Sequence, residues 1–179
     1  MREIIDKGIF ITKTCGRAFS YTPLLEIDDL LEKKDKYSFE DLSAIYQNIK
    51  EFNVFSEASP EEKKILCPLI DYKINNRNIL ELTFIKMKPI CSEQEAILYS
   101  CDDCIPVLTR FLEDKGKTQE EIEKYYNSII SICEKFSLES EDIFYNLSNL
   151  AYDDFLGLRI IDFGMTSELL SLSKFYLKK

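Results

Sequence analysis

Two apolar runs, one ending in Tyr72-Lys73-Ile74 and one opening with Ile79-Leu80, are separated only by the turn-rich Asn75-Asn76-Arg77-Asn78. Their β-branched and aromatic content, with so short a connection, predicts a β-hairpin across residues 67–85. A chain that commits this stretch to a hairpin must accommodate a sheet. The periodicity on both sides of it is helical. Ser38-Phe39-Glu40-Asp41 reads as a capping box with Asp in place of Glu, and Leu42, Ile45, Tyr46, Ile49 and Phe52 fall on one face behind it. A helix over about residues 39–56 follows. Thr118 and Glu121 cap a second, longer helix with apolar positions 122, 125, 126, 129, 130, 133 and 136. The expected class is α+β: a small N-terminal antiparallel sheet with one main helix, followed by a reduced, mainly helical portion.

The remaining segments extend this pattern. Ile9 to Ile11, a Thr14-Cys15-Gly16 turn and then Ala18 to Tyr21 predict a hairpin in the first 22 residues, and residues 24–34 suit either a short helix or a strand. Ser59-Pro60-Glu61-Glu62 starts a short helix ending near Pro68, and the pattern turns helical again from Ser92. Leu150 to Tyr152, a turn at Asp153-Asp154-Phe155-Leu156-Gly157, and Leu158 to Ile161 form a last hairpin that runs into Asp162-Phe163-Gly164. With 179 residues, one cooperative domain is expected, divided into a β/α portion over 1–90 and a helical portion over 91–179.

Composition narrows the chemistry. Histidine is absent, which removes Ser-His-Asp and Cys-His nucleophile pairs and histidine-based zinc hydrolysis. Neither a GxxxxGK[ST] loop nor a GxGxxG loop is present. The net charge of −9 opposes nucleic acid and anionic lipid, and steers toward a protein partner with a basic surface. No apolar run approaches the roughly 20 residues of a membrane span, and no signal-peptide pattern opens the chain, so the expectation is a cytoplasmic protein that meets neither membrane nor nucleic acid. The six cysteines are scattered through apolar segments and read as reduced thiols. Cys101 and Cys104 form a CxxC, for which no fourth zinc ligand has suitable spacing and no preceding strand suits a redox pair.

The order hairpin, helix, hairpin, helices and a hairpin ending in DFG resembles the catalytic core of protein kinases over most of residues 40–165. In that family an Asn closing the catalytic loop and the Asp of DFG bind Mg²⁺ on either side of a short hairpin. Asn149 and Asp162 stand at those places, so the resemblance implies that they hold metal and, with it, ATP. It also places Glu51 where a kinase carries the helix glutamate that pairs with a phosphate-binding lysine, and Lys86 to Pro89 where adenine would stack. Several features depart from the family. The three residues at the H-R-D position are Asp142-Ile143-Phe144, so the base is replaced by a side chain that accepts no proton. No V-A-I-K-like strand precedes Glu51, no glycine-rich loop is present, and 15 residues follow Gly164, too few for a peptide-binding lobe. The reading is therefore a truncated, pseudokinase-like protein with no catalytic residue, an inhibitor or an immunity or regulatory type that binds a partner.

Two alternatives remain open at this level. One is a minimal Mg-nucleotide phosphotransferase in which Asp142, Asp153 or Asp154 replaces the base. The other is an unrelated α+β interaction domain, in which Asp162 starts a turn, Asn149 caps a loop and Glu51 is a solvated helix carboxylate.

Overall fold

The structure, a computed structural model, describes residues 2–15, 28, 32, 37–77, 79–92, 94 and 101–176. It is α+β, with a small antiparallel sheet and one main helix followed by a mostly helical region. The described residues divide into two compact units threaded by alternating stretches of chain: Met1–Ala58, Pro68–Lys86 and Gly164–Lys179 form the first, and Ser59–Cys67 and Met87–Phe163 the second.

In the first unit, strands β1 (Arg2–Asp6), β2 (Phe10–Cys15), β3 (Leu69–Ile74) and β4 (Leu80–Ile85) form one antiparallel sheet in the order β1-β2-β4-β3. The β3–β4 hairpin lies where its two apolar runs predict. The N-terminal hairpin is displaced from its expected position. It turns at Lys7-Gly8-Ile9, where Asp6 Oδ1 accepts from Gly8 N at 2.9 Å and Gly8 adopts a φ of 79°, so residues 10–15 form the second arm. The Asx turn and a glycine free to take positive φ set this register. The arm expected at 18–21 and most of 24–34 lie outside the described residues, although Asp28 and Glu32 are helical.

Helix α1 (Phe39–Glu57) packs on this sheet, its first turn closed by Ser38 Oγ accepting from Asp41 N at 3.2 Å. Leu42, Ile45 and Ile49 of its buried face pack with Leu82 and Phe84 of β4 as core, all under 7% exposed. These apolar contacts, each side chain contributing on the order of 2 kcal/mol when buried, hold the helix to the sheet.

The second unit contains α2 (Cys101–Asp114), α3 (Gln119–Phe136), the short α4 (Ser140–Phe144) and the hairpin of β5 (Leu150–Asp153) and β6 (Gly157–Ile160). Both hydrogen bonds of the Thr118–Glu121 capping box form. The buried stripe of α3 keeps Ile122, Ile129, Cys133 and Phe136 of the predicted positions, while Tyr125 and Tyr126 are half-buried, Ile130 is 42% exposed and Ile132, not predicted, is buried at 1% exposure. The helix predicted after Ser59 is one 3₁₀ turn, Glu62–Lys64, still capped reciprocally by Ser59 and Glu62. Residues 65–67 then pair with β6, with Ile160 N donating to Ile65 O and Cys67 N to Ile160 O, both at 2.8 Å. A final helix, α5 (Ser167–Tyr176), returns to the first unit and is capped by the buried Thr166 hydroxyl. No helix among the described residues is long and apolar enough to cross a membrane.

Candidate functional site

Two polar clusters bear on the sequence-predicted residues, one in each unit. In the first, Lys13 sits in the middle of the sheet on β2, flanked by buried Thr12 and Thr14, and extends toward α1. Its Nζ lies 2.6 Å from Glu51 Oε1, with side-chain exposures of 3% and 0%. The ammonium also stands 5.0 Å from the centre of the Phe84 ring. Asn48, one turn before Glu51, donates from Nδ2 to Leu80 O at 2.7 Å, while its buried Oδ1 has no hydrogen-bond partner. Two full charges are thus taken out of water together, an arrangement that costs several kcal/mol in desolvation per ion and persists only through close pairing.

Glu51 is therefore not the solvated carboxylate that one reading of the sequence allowed. The lysine that pairs with Glu51 is Lys13, which the sequence reading did not single out. It was missed because its flanking residues, Phe10-Ile11-Thr12-Lys13-Thr14, carry apolar residues three and two places ahead of the lysine as in V-A-I-K but a threonine directly before it. A lysine centred in an apolar strand was the available signal, since such a position buries the charge and demands a partner. A polar recess of about 600 Å³ in the same unit, lined by Thr14, Lys73, Arg77 and Glu81 among others, contains neither member of the pair.

In the second unit the cluster forms at the base of the last hairpin. Asn149 ends a 3₁₀ turn (Leu147–Asn149) capped by Asn146, whose Oδ1 accepts from Ser148 N at 3.3 Å. Its carbonyl accepts from Ile161 N at 2.8 Å, clamping it across the hairpin from the residue that precedes Asp162. Its Nδ2 donates to the Asp142 carbonyl at 2.9 Å and to Asp142 Oδ2 at 3.0 Å, which leaves Oδ1 as the ligand-capable atom. Burial first, and then the nearby negative charge of Asp162, push the Asp142 carboxyl up to about 6. Asn149 and Asp142 are thus joined by hydrogen bonds, and Asp162 is near enough for its charge to act on the Asp142 carboxyl; the sequence singled out Asn149 and Asp162, and Asp142 was one of three alternatives. Asp153 and Asp154 are at the other end of the hairpin, where Asp153 Oδ1 accepts from Phe155 N and Leu156 N.

Phe144, at the position where a kinase keeps its base, is 8% exposed, with its ring edge-on to Tyr126 at 5.8 Å. The Phe163 side chain is 1% exposed. Lys86 ends the first unit, donating from its backbone N to Ile9 O, whereas Pro89 bridges to Ala151 in the second. Cys104 is fully buried and donates to Tyr145 O at 3.4 Å. Among the described residues no three His, Cys, Asp or Glu side chains gather as a metal site. The cluster at Asn149 instead offers two carboxylates and an amide oxygen, a donor set suited to a hard cation such as Mg²⁺.

Comparison of the chain with protein-family models, with curated proteins and with solved structures gave no match.

Proposed function

We propose that this chain is a catalytically degenerate, kinase-like protein that acts by binding a protein partner. The observation that carries this reading is the buried Lys13–Glu51 pair: a lysine in the centre of a strand joined to a glutamate on the helix that follows, the pairing by which kinases hold their phosphate-binding lysine. Degeneracy is supported by Phe144, whose ring is committed to the core and has no oxygen to take a proton. The net charge of −9 favours a partner with a basic surface, such as a protein that this chain inhibits or regulates. Complexes formed at low salt should dissociate as ionic strength rises. Capture that persists unchanged at high salt would rule out charge-guided recognition.

A second reading, a minimal phosphotransferase, is favoured by the cluster at Asp142. Asp162, Asp142 and Asn149 Oδ1 fit Mg²⁺ in donor type, and a bound Mg²⁺ would supply charge neutralisation to a nucleotide's phosphates. Asp142, held near 6, is ionised at neutral pH and close enough to it to serve as a base. One experiment separates the two. Wild type and Asp162→Ala are melted with and without Mg-ATP, and γ-phosphate transfer is measured in parallel. Under the first reading any nucleotide-dependent stabilisation comes without transfer. Transfer that is lost in Asp142→Asn would replace it with the second.

A further inference from the structure

Strand β3 is an outer edge of the first unit's sheet, and its exposed residues, although the Tyr72 ring packs on Phe52 at 4.6 Å, carry a pattern that the proposed function does not use. Ile70, Tyr72 and Ile74 are 52%, 55% and 47% exposed, which makes this edge long and apolar for a strand open to solvent. The Tyr72 N–H is turned out of the ladder and donates to the neighbouring Asp71 Oδ1 at 2.8 Å. Read from its centre, Ile70-Asp71-Tyr72-Lys73-Ile74 is chemically symmetric: an isoleucine at each end, then one acid and one base, then the tyrosine.

We propose that β3 pairs antiparallel with β3 of a second copy of this chain, about a two-fold axis through Tyr72. That register sets Ile70 opposite Ile74, Asp71 opposite Lys73 and Tyr72 opposite Tyr72, and two-fold symmetry repeats each unlike pair. Opposite charges and apolar pairs directly across an antiparallel ladder are the stabilising combinations. Moving the axis one residue either way sets Asp71 opposite itself or Lys73 opposite itself, so like charge disfavours the neighbouring two-fold registers. In the single chain Asp71 caps the Tyr72 N–H and Lys73 lies 3.2 Å from Glu81. On pairing, Asp71 turns to the second copy's lysine, and the released N–H donates across the new ladder. Ile70 is the residue passed over between Leu69 and Asp71 in the pairing with β4, so the regular edge spans residues 71–74 and Ile70 lies at its margin.

The full-length chain is examined by sedimentation velocity over a wide concentration range, as wild type, Asp71→Lys, Lys73→Asp and the double reversal. Wild type should move from 21.0 kDa toward twice that mass. Each single reversal creates two like-charge pairs and should weaken association by about tenfold, while the double reversal restores complementarity and should recover most of it. A wild type that stays monomeric throughout, or single reversals without effect, overturns the proposal. Tyr72→Cys tests the register without changing charge. It should form an intermolecular disulfide that the wild type, with its six native cysteines, and Ile74→Cys do not, since residue 74 faces residue 70 across the axis. Equal crosslinking at 72 and 74 would also overturn it.

Discussion

Lys13 and Glu51 are both nearly inaccessible to water and 2.6 Å apart, so each compensates part of the other's desolvation. Glu51→Gln or Lys13→Met removes one member of the buried pair and should cost about 3–5 kcal/mol in urea unfolding. The double variant Lys13→Met/Glu51→Leu removes both charges and should be clearly less destabilised than either single one. A double as unstable as the sum of the singles would show that the pair is not coupled. Asp142 gives a pH signature of the opposite kind from most carboxylates. Its folded value of about 6 stands above the ordinary 3.8, so between those values the folded chain holds a proton that the unfolded chain has lost. Its contribution is complete below about pH 4 and declines as pH rises to about 6, on the order of 3 kcal/mol in all. Subtracting the stability profile of Asp142→Asn, whose amide oxygen can still accept from Asn149, isolates this fall from the exposed carboxylates that titrate the other way. A flat difference between pH 4 and 7 would contradict it. These residues were unequally legible. Asn149 and Asp162 stand within a recognisable run of sequence, whereas Lys13 and Glu51 are separated by 38 positions and are joined only by the packing of α1 on the sheet. Asp142 was one of three acids that local sequence could not tell apart; it lies on α4 at the base of the hairpin, whereas Asp153 and Asp154 lie at its turn.

Among the elements, α1 imposes the tightest constraint. A Cβ at Gly164 would lie 2.6 Å from the carbonyl oxygen of Gln47 and 2.8 Å from its Cα, and backbone atoms within a helix cannot yield as a side chain can. Gly164→Ala should therefore destabilise by about 1–3 kcal/mol in urea unfolding. An unchanged midpoint would mean that the chain after Phe163 does not approach α1 so closely. The end of α3 offers the reverse case. Ser137 holds a left-handed φ of 54° to stop the helix, a conformation that glycine adopts without strain, so Ser137→Gly should raise stability by about 0.5–1 kcal/mol. Caps and apolar periodicity made α1, α3 and the β3–β4 and β5–β6 hairpins readable in advance, because each of those signals is local. The turn at Gly8 was misplaced because Cys15-Gly16 offers a competing turn signal, and the choice between them is made by pairing of β2 with β4, a contact more than 70 residues away in sequence. Periodicity alone could not choose between Ile130 and Ile132 on α3, since both lie near the margins of its apolar face.

At the scale of the whole molecule, the path of the chain matters more than the number of elements. The first unit is completed by Gly164–Lys179, which contains α5, and the second by Ser59–Cys67, so each draws on a stretch remote from its main body. The short stretch in the second unit is not peripheral. Leu66 is fully buried, Ile65 and Cys67 exchange two backbone hydrogen bonds with Ile160 on β6, and Glu62 holds Lys135 on α3 at 2.8 Å. Without it, β6 would keep β5 on one side and expose its other edge, leaving a two-stranded hairpin of the kind that is marginal in water. Cutting the chain between Lys86 and Met87 therefore yields two fragments, one lacking α5 and the other lacking the segment that pairs with β6. Each fragment alone should give a poorly dispersed amide NMR spectrum. Mixing the two should restore the dispersion of the intact chain, because together they supply every stretch. If 87–179 alone showed native-like dispersion, residues 59–67 would be a connector and not a structural strand. Dispersion that failed to return on mixing would mean that the covalent link at residues 86–87 is itself needed for the fold.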